Sequence, residues 1–256
     1  MKKLFDLAFG NTTWTWFDIM WPWIGLGIAL VILILLFATN ILRRDMQINR
    51  WRDPAWLSWL AVTIYMLHQF EEYGVDFFGS RHAFPDELCK RLGLGNYPAC
   101  PIPHEFFLYV NIPLVWFFAA LSAKFSPKNP FVGLGLYSVI ISNAMAHIVV
   151  AIATQAYNPG LFSAVVIFLP SFFWLCKVCF IEGRFRKAGI AVLIATGIIL
   201  HIILISSVLI FAKQKISGSL LDFIQLINAS TIVVLPWLGY KFLNNRQQKQ
   251  NIKSGL

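Results

Sequence analysis

Charge is what this chain has least of. Only 13% of its 256 residues are Asp, Glu, Lys or Arg, against 58% hydrophobic, and long apolar stretches recur from residue 21 to residue 243. An ordinary soluble domain carries about 25% charged residues, so this balance excludes one and indicates a multi-span membrane protein. No small-residue cleavage site follows the first apolar run, which leads into Asn40-Ile41-Leu42-Arg43-Arg44. That run is also too long for a signal-peptide core, so it reads as a retained span. No internal repeat is evident, and histidine is scarce, at five residues.

What charge there is has a sign and a place. The net charge is +9, but the Lys and Arg residues lie between the apolar runs and at the ends. There they orient a protein in its membrane, and nucleic acid is excluded as a partner. Seven spans fit, at about 21–42, 54–73, 104–123, 131–154, 160–181, 188–212 and 220–243. One side then carries Arg43, Arg44, Arg50, Arg52, Lys124, Lys128, Lys177, Arg184, Arg186, Lys187, Lys241, Arg246, Lys249 and Lys253. The other carries Lys2, Lys3, Arg81, Lys90, Arg91, Lys213 and Lys215. Fourteen against seven puts the N-terminus outside and the C-terminus in the cytoplasm. The expected fold is therefore all-α: residues 1–256 form one polytopic transmembrane bundle, with an outer loop at 74–103 and a cytoplasmic tail at 244–256. The expected location is a bacterial inner membrane. Trp14, Trp16, Trp21 and Trp23 at one end of the first span, and Trp51, Trp56 and Trp59 near the opposite face, read as interfacial anchors.

The four cysteines divide into two pairs. Cys89 and Cys100 fall in the outer loop, where a disulfide can persist, and bridged or free thiols are both open. Cys176 and Cys179 form a Cys-x-x-Cys inside a span. With no second pair to complete a tetrahedral site they read as packing residues.

Ionisable groups are costly in hydrocarbon, so those inside the spans mark a site. His68, Glu71 and Glu72 lie at i, i+3 and i+4 and share one helical face. His68 is 14 residues beyond residue 54, a rise of about 21 Å, near the outer edge of the hydrocarbon. The third span runs inward from that edge, beginning Pro101-Ile102-Pro103-His104-Glu105, with Asn111 two turns deeper on the His104 side. The fourth span returns outward and brings His147 to about 24 Å, with Asn143 one turn below it on the same face. Three separate stretches thus deliver His, Glu and Asn to a common height.

Imidazole with carboxylate suits zinc, iron or manganese, one or two ions, with zinc first. The expected metal ligands are His68, Glu72, His104 and His147. Glu71 and Glu105 are read as further or bridging ligands, or as a general base for hydrolysis. Asn111 and Asn143 are read as groups that orient the imidazoles. The alternative for any one of these residues is an interfacial carboxylate or a helix cap. His201 in the sixth span reads as a hydrogen-bonded interior histidine, His82 as a solvated loop histidine, and Tyr157 as an interfacial tyrosine.

Known metal motifs do not match. His104-Glu105 is followed by Leu108 where a zinc protease needs histidine, and His68-x-x-Glu71-Glu72 would fit the inverted form only with histidine at 72. Di-iron bundles use Glu-x-x-His, the reverse order, and five histidines are too few for the histidine-rich desaturases. The combination that remains, His68-Gln69-Phe70-Glu71-Glu72, then His104-Glu105, then Asn143-x-x-x-His147 leading into Tyr157-Asn158-Pro159-Gly160, resembles the HXXEE-motif family of bacterial integral membrane proteins. The resemblance covers roughly residues 54–180. It implies a shared polar site and no particular reaction.

These observations point to a metal-dependent integral membrane enzyme with its His/Glu site near the outer leaflet. A hydrolase acting on a membrane lipid or another apolar substrate is the first reading, and a di-iron oxidoreductase the second. The alternative is a proton- or cation-coupled transporter using the same cluster, against which stand the absence of a repeat and of paired broken helices.

Overall fold

The computed structural model describes residues 15–254 except 98 and 184, with side chains described as far as residue 243. The expectations for Lys2, Lys3, Trp14, Arg184, Arg246, Lys249 and Lys253 lie outside the described side chains.

The fold is all-helical, and the described residues contain no strand, only an isolated bridge between Val75 and Arg81. Its helices are α1 (Trp16–Ala38), α2 (Pro54–Tyr73), α3 (Ala83–Arg91), α4 (His104–Phe125), α5 (Pro130–Thr154), α6 (Leu161–Ile181), α7 (Ala188–Ala212), α8 (Gly218–Ala229) and α9 (Thr231–Ser254). Helices α1, α4, α5, α6 and α7, and α8 with the start of α9 taken as Gly218–Leu243, are long and apolar enough to cross a membrane. This makes six, where seven were expected. The remaining segment, α2, is an unbroken 20-residue helix, matching about 30 Å of hydrocarbon, but it carries the polar His68–Glu72 cluster. It is the centre of the bundle: 16 of its 20 residues are buried, so its neighbours rather than lipid surround its polar groups.

Local chemistry sets the ends and bends. Asp53 caps α2, its Oδ1 accepting from the Ala55 amide at 2.9 Å, and Pro54 occupies the first turn where a missing N–H is harmless. Thr15 and Asp18 form a reciprocal capping box that starts α1 at Trp16, five residues before the expected boundary. Pro113 and Pro170 each deny a carbonyl its partner one turn back, and wide π-turns follow in α4 (Ile112–Ala119) and precede in α6 (Ala164–Phe168). Helix α9 runs on through the expected tail as far as Ser254.

Two of the expected interfacial tryptophans are interior. Trp56 is fully buried and donates from Nε1 to the Leu36 carbonyl at 2.9 Å, while Trp21 packs 5.0 Å from the Tyr73 ring. Trp16, Trp23 and Trp51 are exposed as expected. Cys89 and Cys100 form a disulfide, fastening α3 to the approach of α4, and Cys176 and Cys179 are free and buried.

Candidate metal centre

The polar end of α2 sends each of its side chains to a different partner. His68, Gln69, Glu71 and Glu72 are all buried. Gln69 donates to Asn111 Oδ1 at 3.0 Å and accepts from Trp116 Nε1 at 3.3 Å, which fixes α2 against α4. Glu71 receives the amide of Ser163 at 2.8 Å, the amide of Phe162 at 3.0 Å, the Tyr157 hydroxyl at 2.8 Å and the Ser163 hydroxyl. Three of these donors lie in the first turn of α6 and the fourth, Tyr157, in the link before it, so Glu71 anchors the start of that helix.

Glu72 points the other way, between two imidazoles. Its Oε1 lies 3.3 Å from His147 Nε2 and its Oε2 lies 3.5 Å from His68 Nε2. One ligand atom from each of His68, Glu72 and His147 falls within 4.8 Å of the other two, and all three residues are buried. The rings stand edge to face, 5.0 Å between centroids.

Each imidazole is held from behind. His147 Nδ1 is 2.6 Å from Asn158 Oδ1, while Asn158 Nδ2 donates to the His147 carbonyl at 3.0 Å. With the amide nitrogen committed there, its oxygen faces the ring, so Nδ1 carries a hydrogen and Nε2 turns to Glu72. His68 Nδ1 sits 2.7 Å from Ser163 Oγ, whose own proton goes to Glu71. Its Nδ1–H donates to the serine, and its Nε2 also turns to Glu72. Two imidazole Nε2 atoms thus face one buried carboxylate, a donor set that suits a divalent ion.

The three donors are close enough to share one ion: a ligand atom from each lies within 4.8 Å of the other two, and the two imidazole contacts, 3.3 and 3.5 Å, are made to different oxygens of the Glu72 carboxylate. Partners on the far nitrogens of ligating histidines are the usual supports of such sites. Three protein donors also leave a fourth position open, the pattern of catalytic rather than structural zinc. At that side stand Tyr65 and Asn143, the amide Nδ2 lying 3.0 Å from the Tyr65 hydroxyl and 3.1 Å from His68 Nε2. Rotated end for end, the same amide would present Oδ1 to an ion and accept from the tyrosine.

A glycine makes the closeness of the rings possible. Gly160 sits at φ +95°, where other residues are strained, and a Cβ there would lie 2.6 Å from His147 Cε1 and 2.8 Å from His68 Cε1. The turn 157–160 therefore closes over both imidazoles.

Of the expected ligands, His104 does not join the group. Its Nε2 lies 3.4 Å from Asp18 Oδ2 of α1 and its Nδ1 3.3 Å from Glu105, whose side chain is half exposed. The reason is which helix meets that face at each depth: at His104 it is α1, while two turns deeper on the same face Asn111 meets Gln69 of α2 and its own Phe107 carbonyl at 2.8 Å. Asn111 is thus one residue away from the imidazoles, whereas Asn143 touches one directly. Glu71 and Glu105 also stand outside the ligand group. His82 lies beside Asp18 and His104, and burial, then the neighbouring Arg81, lowers its pKa to about 4. His201 donates from Nδ1 to the Gly197 carbonyl at 2.9 Å, an interior histidine as expected. Sequence reasoning gave no role to Ser163, Asn158, Gly160 or Tyr65. Only Tyr65, one turn before His68 on its face, was within reach of helical periodicity.

A cavity of about 270 Å³ opens from this centre. Glu72, His147, Asn143 and Tyr65 line one part of it, Tyr73, Asn111, His201 and Arg91 add polar groups elsewhere, and the remaining wall, from α3, α4, α5 and α7, is apolar. An apolar pocket with a few convergent polar groups is the usual form of a small-molecule site.

An all-helical protein with six membrane-length apolar helices and a buried His/Glu centre defines a class: a multi-pass membrane protein with a candidate metal site. Residues 59–175, the stretch that contains His68, Glu72 and His147, match the family model described as "Protein of unknown function with HXXEE motif". No curated protein and no solved structure matches the chain.

Proposed function

We propose that the chain is a metal-dependent integral membrane enzyme that hydrolyses a lipid or another apolar substrate, with His68, Glu72 and His147 holding one divalent ion, zinc first. The single observation that carries this reading is the buried cluster in which the Nε2 atoms of His68 and His147, each held through Nδ1 from behind, both face the Glu72 carboxylate. Bound there, a divalent ion lowers the pKa of water towards neutrality and polarises a substrate carbonyl or phosphoryl oxygen.

The chain's own residues supply the rest. Ser163 and Asn158 keep both imidazoles in the ligating tautomer. Glu72 would hold the ion together with the two imidazoles, and its carboxylate is the buried base nearest the site. The Tyr65 hydroxyl, which accepts from the Asn143 amide beside His68, keeps its own proton to donate to a substrate oxygen. Glu71, saturated by four donors, has no part in proton transfer. The positive charges favour a site at the outer leaflet of a bacterial inner membrane, with the C-terminus in the cytoplasm.

Elemental analysis of detergent-purified protein tests this directly. One zinc per chain, lost in both His68→Ala and His147→Ala, together with hydrolysis of an acyl ester that follows the metal, supports the enzyme. A metal-free wild type that moves a solute into proteoliposomes favours the alternative, a proton- or cation-coupled transporter in which Glu72 between two imidazoles is the ion relay.

A further inference from the structure

The apolar cavity has one feature that its hydrophobic wall leaves unexplained. Arg91, the last residue of α3, lines it, and while Nε donates to Glu87 at 2.9 Å, the buried Nη2 has no hydrogen-bond partner. The guanidinium as a whole is paired with Glu87 and partly exposed, but a buried donor without an acceptor costs roughly 1–3 kcal/mol, so Nη2 is a donor on the cavity wall suited to a ligand oxygen. The surroundings define what carries that oxygen. Phe84, Leu88, Phe107, Val139, Leu204 and Val208 offer no polar atom of their side chains, whereas Glu72 and His147 line the same cavity. At about 270 Å³ the space is near the lower end of small-molecule sites, roughly 300–1,000 Å³, enough for one hydrocarbon chain and too small for two.

We infer that the cavity takes a single-chain amphiphile whose oxygen-bearing head group accepts from Arg91 and whose chain fills the apolar part beside the metal centre. Ligand and centre thus share one chamber, which rests on the reading above and narrows its substrate to a monoacyl compound with a carboxylate, phosphate or ester oxygen. The Cys89–Cys100 disulfide holds α3, and with it Arg91 and Leu88, over the chamber.

Radiolabelled dodecanoate binding to the full chain in phosphatidylcholine nanodiscs tests this, with metal content measured on the same samples. Saturable binding is expected, weakened about tenfold in Arg91→Gln and abolished in Ala146→Trp, which fills the cavity wall, with bound metal retained in both. Leu204→Trp provides a second filling variant should the first not fold. Dodecanol binding that is weaker than dodecanoate and insensitive to Arg91→Gln would assign the contact to the head group. Dodecanoate bound equally by wild type, Arg91→Gln and both tryptophan variants overturns the inference while leaving the metal centre intact. Saturable, Arg91-dependent binding to metal-free protein would instead overturn the enzyme reading and keep the chamber.

Discussion

Two polar clusters stand at this end of the bundle, and each pairs histidine with carboxylates. In one, His68, Glu72 and His147 are sealed from solvent, and every imidazole nitrogen has an assigned task. In the other, Asp18, His104 and Glu105 meet at 3.3–3.4 Å, but Glu105 is half exposed and Asp18 is already engaged in capping α1, its Oδ2 receiving the Thr15 amide at 2.6 Å and hydroxyl at 2.7 Å. The residue types are alike. What separates them is the ring of supporting groups: Asn158, Ser163 and, behind the serine, Glu71 set the tautomers of the first cluster, and the second joins α1 to α4 by contacts in which one carboxylate also serves a helix end. Residue type is thus shared by the two clusters, and the orienting partners mark the first as the candidate metal centre.

The sharpest way to break this contrast is to exchange the fates of the two clusters. His147→Ala and Glu72→Gln should lower bound zinc below one tenth of wild type, whereas His104→Ala should leave stoichiometry unchanged, both by elemental analysis. Zinc lost from His104→Ala would undo the distinction. A step down in size, Asn158→Ala and Ser163→Ala keep all three ligands and remove only their orientation, so metal affinity should weaken about 10–100-fold by competition with a chelator. An affinity equal to wild type in both would mean that tautomer control is irrelevant here.

Gly160→Ala tests closeness rather than chemistry. The positive φ and the collision with both imidazoles predict a destabilisation of about 1–3 kcal/mol, read as a lowered thermal midpoint, together with weaker metal binding. The disulfide lies on the solvent side of the comparison. Opening an 11-residue link should cost roughly 3 kcal/mol, so Cys89→Ser with Cys100→Ser lowers the midpoint but keeps zinc.

The smallest effect is a pH dependence from His82, on the side of Asp18 and His104. Burial favours its neutral form, so the folded pKa, about 4, lies below the ordinary 6.5. The folded chain then binds fewer protons than the unfolded one between these values. Stability from this residue is present in full above about pH 6.5 and declines as pH falls towards 4. His82→Leu should flatten that part of the stability profile, and an unchanged slope would show that another group sets it.

Height was legible in the sequence and azimuth was not. The rise per residue put His68 and His147 at one level, and the i, i+4 relation put Glu72 with His68, all of which follows from helix geometry. The same arithmetic put His104 at that level too, but which way a helix faces is decided by its neighbours and by wide turns such as the one after Asn111. Glu71 and Glu72 are adjacent, and only the position of α6 determines that one serves a helix end and the other the imidazoles. Ser163 was hidden for a related reason. A serine in an apolar span is an ordinary residue until a turn with glycine at its end sets it behind a histidine. Six of the seven expected spans have membrane length and apolarity, and α2 departs because its burial inside the bundle permits the polar groups that the site needs.

The link between α5 and α6 is six residues, 155–160, and one face of it is a wall of the candidate metal centre. Surface connections ordinarily accept extra residues with little penalty. Here an insertion would withdraw Asn158 from one imidazole and Ser163 from the other at once, so loop length in this protein acts as a setting of its chemistry.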